Sequence, residues 1–147
     1  MTLTVRPIEA RDETAWRRLW ADYGVFYKAD FTEPQTNAVW SWLLDPAHLT
    51  NAYVAEVDGD VVGFAIWRSH FDTFTGGPAW YLDDLFVDPA ARGHGAATAL
   101  ITALRAHADA NGGGGISWIT ADDNLTAQSV YNKIATRRDW VTYEWEG

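Results

Sequence analysis

The stretch Trp80-Tyr81-Leu82-Asp83-Asp84-Leu85-Phe86-Val87-Asp88-Pro89-Ala90-Ala91-Arg92-Gly93-His94-Gly95-Ala96-Ala97 decides the fold. Trp80 to Val87 is aromatic and aliphatic enough to read as a strand, and Pro89 ends it. Arg92-Gly93-His94-Gly95 reads as a turn. Ala96 to Ala108 is rich in Ala and Leu, with Leu100, Ile101 and Leu104 at helical spacing. A turn that opens straight into a helix is an anion site: the first N–H groups have no partner within the helix, and the helix dipole adds partial positive charge. Gly93 and Gly95 carry no Cβ, so a diphosphate can approach the backbone, and Arg92 adds a fixed charge. No Gly-Lys-Ser/Thr follows, and the third glycine of a dinucleotide fingerprint is missing. The turn is therefore neither a Walker A loop nor a dinucleotide site.

Working outward, Leu3 to Pro7 alternates like an opening strand. Ala10 to about Tyr27 reads as a helix with Trp16, Leu19, Trp20 and Tyr23 on one face, and Asp12 as its N-cap. Lys28 to Pro34 reads as a loop. Thr36 to Leu44 is a second helix, stopped by Asp45-Pro46. Asn51 to Val57 and Val61 to Ser69 flank Asp58-Gly59-Asp60, a strong hairpin signal. Phe71 to Pro78 reads as a loop. Past the Ala-rich helix, Asn111 to Gly115 is a glycine connector. Ile116 to Thr120 is a short strand, and Asp122-Asp123-Asn124 caps a helix from about Leu125 to Ala135. Trp140 to Trp145 alternates like a closing strand. The order β-α-α-β-β-β-α-β-α-β is mixed α/β.

At 147 residues the chain reads as one domain, 1–147, large enough to bury roughly two-thirds of its unfolded surface. It has no cysteine, which excludes disulfides, thiolate metal sites and a thiol nucleophile. His48, His70, His94 and His107 lack metal spacing and read as surface residues, so no metal is expected. The N-terminus has no apolar signal core and no run reaches membrane-spanning length, so a cytoplasmic protein away from the membrane is expected. A formal charge of −9 disfavours nucleic acid as a partner and suits a cationic one.

The turn Arg92-Gly93-His94-Gly95-Ala96-Ala97 resembles the acetyl-CoA site of the GNAT superfamily of N-acetyltransferases, whose pattern is Arg/Gln-x-x-Gly-x-Gly/Ala after the fourth strand. The element order is also that of the GNAT fold, a single mixed sheet flanked by helices. A second match, Asn124-Leu125-Thr126-Ala127-Gln128-Ser129-Val130-Tyr131, resembles the family's Asn-x-x-Ala-x-x-x-Tyr. Asn124, Ala127 and Tyr131 can share one helix face. The family often follows this tyrosine with Gly-Phe; here Asn132-Lys133-Ile134-Ala135-Thr136 stands instead.

The resemblance implies acetyl-CoA as co-substrate. Its diphosphate would lie on Arg92, Gly93, His94, Gly95, Ala96 and Ala97. Its pantetheine arm would pair with the backbone of Leu85, Phe86 and Val87, and Asn124 would approach it. Tyr131 would be the general acid for the leaving thiolate, which suits a phenol that keeps its proton at neutral pH. Tyr81-Leu82-Asp83-Asp84-Leu85-Phe86-Val87 is similar to the Tyr-Leu-Glu-Asp-Leu/Phe-Phe-Val of diamine and polyamine acetyltransferases. By that likeness Asp83 would prepare the amine, through water because it is one methylene shorter, and Asp84 would lie near a cationic substrate. Tyr27, Glu33 and Trp67 would line the amine pocket. The expected activity is acetylation of a small primary amine, a di- or polyamine first. An amino acid, an aminoglycoside-like compound or a protein N-terminus is the alternative, and a non-catalytic CoA-binding module the second alternative. A homodimer joined through Trp140–Trp145 is expected, because an exposed aromatic edge invites pairing.

Overall fold

The computed structural model describes residues 1–147. The elements are β1 (Leu3–Pro7), α1 (Glu13–Phe26), α2 (Glu33–Leu44), β2 (Asn51–Val57), β3 (Asp60–Asp72), β4 (Gly77–Val87), α3 (Ala96–Ala110), β5 (Ile116–Ser117) and α4 (Leu125–Ile134). Short 3-10 turns precede α1 and follow β4. One sheet of order β1-β2-β3-β4-β5 holds the strands, antiparallel as far as β4 and parallel between β4 and β5. This is the expected mixed α/β order as far as α4. No helix is long and apolar enough to cross a membrane.

The β2–β3 hairpin turns where expected. Asp58 and Gly59 both take left-handed φ, 51° and 89°, the backbone that matches the twist of paired strands. The reading of Phe71–Pro78 as a loop is corrected. Strand pairing continues to Asp72↔Gly77, so β3 and β4 form one long hairpin. Its tip is fixed by the Asp72 carboxylate, which accepts from the Phe74 amide and the Thr75 hydroxyl.

Two helix starts also differ from expectation. α2 begins at Glu33 because Thr32 and Gln35 form a capping box, and Pro34 sits in the first turn, where its missing N–H costs nothing. Asp12 makes no side-chain cap bond to α1. Its two oxygens instead take both terminal nitrogens of Arg6 at 2.8 Å, and the Arg6 Nε reaches Glu56 at 2.8 Å. Asp12 is 3% exposed, and this cluster ties the first turn to β1 and β2.

The sheet is covered on both faces. Alternation along β3 sends Phe64 and Ile66 to one side and Ala65 and Trp67 to the other. On the first side Trp16, Leu19, Trp20, Trp40 and Leu43 of α1 and α2 pack on Val54, Phe64, Ile66 and Phe86. On the other side Leu100, Ile101, Leu104 and Ala108 of α3 pack on Ala55, Ala65, Trp67, Trp80 and Leu82. Trp67 is therefore core and not pocket. It is buried among Tyr53, Trp80 and His107, whose ring lies 4.6 Å from its own. His107 packs there too, against the expectation of a surface residue.

The C-terminal part departs most. β5 is two residues and not five, because pairing with β4 stops at Tyr81↔Ser117. The closing strand expected at Trp140–Trp145 does not form, and residues 136–147 carry neither helix nor strand. Alternation states which faces side chains would take, but a strand also needs a partner ladder, and residues 136–147 pair with no strand of this chain. Trp140, Tyr143 and Trp145 remain exposed.

Candidate active site

The site follows from a split in the sheet. β4 is paired with β3 along its whole length, but with β5 only at Trp80 and Tyr81. From Leu82 to Val87 its other edge is open. Two features begin the split. The first is a bulge: Ile66 faces Asp84 and Trp67 faces Leu82, which leaves Asp83 as the extra residue of β4. The second is the glycine turn before β5, which is a fixed seat. The Trp80 amide donates to Gly115 O and the Trp80 indole N–H to Gly113 O, while Arg105 donates to Gly114 O. Gly114 has φ +100°, and a Cβ there would lie 2.0 Å from the Pro78 carbonyl oxygen. An open edge offers unpaired N–H and C=O groups to a chain-shaped ligand. The backbone of Leu85, Phe86 and Val87 lies on this edge.

The edge leads to the turn before α3. Gly93 and Gly95 have φ of +90° and +78°, a backbone that side chains rarely adopt. The first amide of α3 to find an acceptor is that of Ala99, on Gly95 O. The amides of Gly93 through Thr98 donate to no protein group. The Arg92 guanidinium makes no ion pair, and His94 stands exposed beside it. A row of free donors at a helix start with an uncommitted cation fits a diphosphate. Asn124 is otherwise occupied: its Oδ1 accepts from the Ala127 amide and caps α4.

At the far end of the open edge, Tyr23, Tyr27, Leu82, Asp83, Leu85 and Tyr131 meet around a small cavity, closed by Trp118 and Ile119. Its volume, about 20 Å³, is that of one water or one ammonium head group. Trp118, Ile119 and Tyr131 also line a larger cavity of about 770 Å³. Tyr131 packs edge-on to Trp118 at 5.3 Å. Burial, helped by Tyr27, pushes its phenol up to about 12, so it holds its proton at neutral pH.

The two aspartates part company. Asp83 is paired with the Arg68 Nε at 3.1 Å, and that guanidinium lies 5.0 Å over the Tyr81 ring. Asp84 is turned inward, and its Oδ1 accepts from the Tyr23 hydroxyl at 2.8 Å. Burial pushes the Asp84 carboxyl up, against the Tyr23 bond, with the Asp83 charge adding to the rise. Burial and the Asp84 charge push the Tyr23 phenol up as well.

Of the residues expected in the amine pocket, Tyr27 is present. Glu33 begins α2 and does not line the cavity, and Trp67 is buried in the core under α3 and does not line it either. The helical spacing of Tyr23 indicates only the packed face of α1. Its place in the site has a chemical signal: a phenol and a carboxylate set among apolar residues each need a partner, and Tyr23 and Asp84 are two such needs without a local match.

A model of the acetyltransferase (GNAT) family matches residues 14–135. The chain is 31% identical over 147 residues to a D-amino-acid N-acetyltransferase of Saccharomyces cerevisiae, covering 99% of this chain and 91% of the relative. A ribosomal-protein-alanine N-acetyltransferase from Brucella melitensis biovar Abortus 2308 is similar in structure, with a TM-score of 0.83, 25% identity and all of both chains covered. An aminoglycoside N-acetyltransferase in complex with CoA shares the fold at a TM-score of 0.84 and 21% identity, covering 99% of this chain and 95% of its own.

Proposed function

The chain belongs to the acetyltransferase (GNAT) family and is an acetyl-CoA-dependent N-acetyltransferase; we propose that its acceptor is the primary amine of a small molecule, an α-amino acid before a di- or polyamine. The observation that carries this reading is the cavity at the end of the open β4 edge, where a protonated Tyr131 meets the half-buried Tyr23–Asp84 pair. Arg68, paired with Asp83 of the cavity lining, supports an amino acid, because the terminal nitrogens of that guanidinium make no hydrogen bond and suit a carboxylate. The yeast relative, by its name, acts on D-amino acids. The polyamine reading keeps the two adjacent aspartates and the net charge of −9 in its favour.

Bound acetyl-CoA supplies an acetyl thioester. Arg92 and the amides of Gly93 to Ala97 hold the diphosphate, and the backbone of Leu85, Phe86 and Val87 pairs with the pantetheine arm. The amine attacks directly, with all 147 residues acting as one catalytic domain and no cysteine to carry the acetyl group. Tyr131 donates its hydroxyl proton to the departing sulfur. The test is a panel of D- and L-amino acids, di- and polyamines and aminoglycosides with acetyl-CoA, following free-thiol release. Fastest turnover with amino acids is expected. Fastest turnover with polyamines would move the acceptor to the second reading. No release with any amine would reduce the protein to a CoA-binding module.

We also propose a homodimer. The 770 Å³ cavity lies between β5 with the residues after it, Ile116–Thr120, and Trp140 and Thr142 of the C-terminal segment. Past Ser117 the edge facing this slot is unpaired. The Trp140–Trp145 segment of a second copy has the alternation and the unpaired backbone to fill it. Light scattering should give a dimer, and a monomer at micromolar concentration would reject it.

A further inference from the structure

The amine that enters the cavity arrives as an ammonium ion and must lose a proton before it can attack. The exposed aspartate, Asp83, is poorly placed for this, since both of its oxygens are already engaged by the Arg68 Nε, at 3.1 and 3.4 Å. Asp84 has no cation beside it. Its one side-chain partner is the Tyr23 hydroxyl, at 2.8 Å. Because that hydroxyl spends its hydrogen on Asp84, the lone pairs of its oxygen are left to accept. Tyr23 lines the cavity, whereas Asp84 does not. The cavity thus presents an acceptor oxygen with a carboxylate directly behind it.

We infer that Tyr23 receives the substrate ammonium and passes a proton from it to Asp84, so that this pair, and not Asp83, prepares the amine. The inference rests on the proposed function above. The proton balance closes. The ammonium gives one proton to the Tyr23 oxygen as Tyr23 gives its own to Asp84 Oδ1, which leaves a neutral amine and a neutral carboxyl. The amine nitrogen then bonds to the acetyl carbon as the carbon–sulfur bond breaks. The second proton lost from nitrogen balances the one that Tyr131 gives to sulfur, and Asp84 later returns its proton to water. Tyr23 touches the substrate, while Asp84 acts through it as a positioning residue and proton store. Burial, by raising the basicity of Asp84, suits it to that task.

The titratable groups around the pair are few. Tyr27 and Tyr131 face Tyr23, Asp84 feels the charge of Asp83, and Tyr81 feels that of Asp84. Arg68 acts on the pair only across Asp83. From β3 the residue opposite Asp84 is Ile66. Burial raises the Tyr23, Tyr81 and Tyr131 phenols, so Asp84 itself should set the acid limb of the pH profile.

The experiment compares kcat/KM against pH from 5.5 to 9.5 for the wild type, Tyr23→Phe, Asp84→Asn and Asp83→Asn, using the best acceptor from the amine panel. Acetyl-CoA affinity and melting temperature are recorded for each. Tyr23→Phe and Asp84→Asn should each lose about 10²-fold near neutral pH, within the usual range for proton-transfer groups, and the loss should shrink as pH approaches the pKa of the free amine. Asp83→Asn should give a smaller loss with the wild-type pH shape. A purely structural role would lower activity equally at every pH. If Asp84→Asn does not fold, Tyr23→Phe carries the test alone, since it keeps the ring and its packing. A pH-independent loss in Tyr23→Phe, or the pH-dependent loss appearing in Asp83→Asn, would overturn the inference while the proposed function stood. Absence of wild-type turnover with every amine would remove both.

Discussion

The two ends of the sheet are built on different terms. From β1 to β4 every strand is paired on a long ladder, both faces are covered, and the α1 side alone stacks Trp16 on Trp20 and packs it at a tilt against Trp40. From β5 onward there are two paired residues, a helix with no fully buried side chain, and an exposed C-terminal segment. The proposed site lies on the seam between them, along the open edge of β4. The lesson is a division of labour: the packed end supplies the free energy of folding, and the loose end supplies one wall of a site that must admit two substrates.

The largest test of that division is truncation at each end. Trp16 is fully buried, and Trp16→Ala should cost about 3–5 kcal/mol in urea unfolding. Leu125, at the start of α4, is 70% exposed, and Leu125→Ala should stay within about 0.5 kcal/mol. Equal losses would break the comparison. Next is Arg92→Ala, on the seam. It should raise the KM for acetyl-CoA by roughly 10- to 100-fold, from a charge-assisted contact of about 1.5–3 kcal/mol, with no change in melting temperature. An unchanged KM would remove the diphosphate site from this turn.

The smallest effect sharpens the comparison through pH. Burial would raise the Asp12 carboxyl, but the bonds from Arg6 and the Glu9 amide outweigh it and hold it below its ordinary value. A depressed carboxylate stabilises the fold above its unfolded pKa, near 3.9, and that contribution disappears as pH falls through the folded value. Asp84 has the opposite sign: its folded value is raised, so its ionisation costs stability at neutral pH. Asp12→Asn should therefore destabilise by about 1–3 kcal/mol at pH 7, with the gap closing below pH 4. Asp84→Asn should not destabilise more at pH 7 than at pH 4. The same pH trend in both variants would contradict the assignment of one carboxylate to the scaffold and the other to the site.

The packed end was legible because its signals are local. The face Trp16, Leu19, Trp20 and Tyr23, the Asp58-Gly59 turn and the strand-turn-helix around Arg92 each declare themselves within a few residues. The misses came where pairing decides. Gly76-Gly77-Pro78 looked like loop, yet two of these residues begin β4, because the long β3–β4 ladder carries them. Thr32 and Gln35 form a capping box that starts α2 at Glu33, inside the stretch whose composition reads as a loop up to Pro34. The alternation in Trp140–Trp145 was real, but nothing local states whether a partner strand exists. The site was half legible for the same reason. Tyr131 and the Arg92 turn lie in contiguous patterns, whereas the contrast between Asp83 and Asp84 depends on a bulge, on Arg68 of β3 and on Tyr23, which is 61 residues away from its partner.

The central claim is that acetyl transfer takes place on the seam, with Tyr131 protonating the leaving thiolate. It is tested most directly by the rate of acetyl transfer in Tyr131→Phe, measured at saturating acetyl-CoA and amine under conditions where chemistry limits turnover. The account predicts a fall in kcat of about 10²–10⁴-fold with acetyl-CoA affinity unchanged, since one hydroxyl is lost and the ring remains packed on Trp118. A kcat near that of the wild type would make Tyr131 a packing residue and place the acid elsewhere.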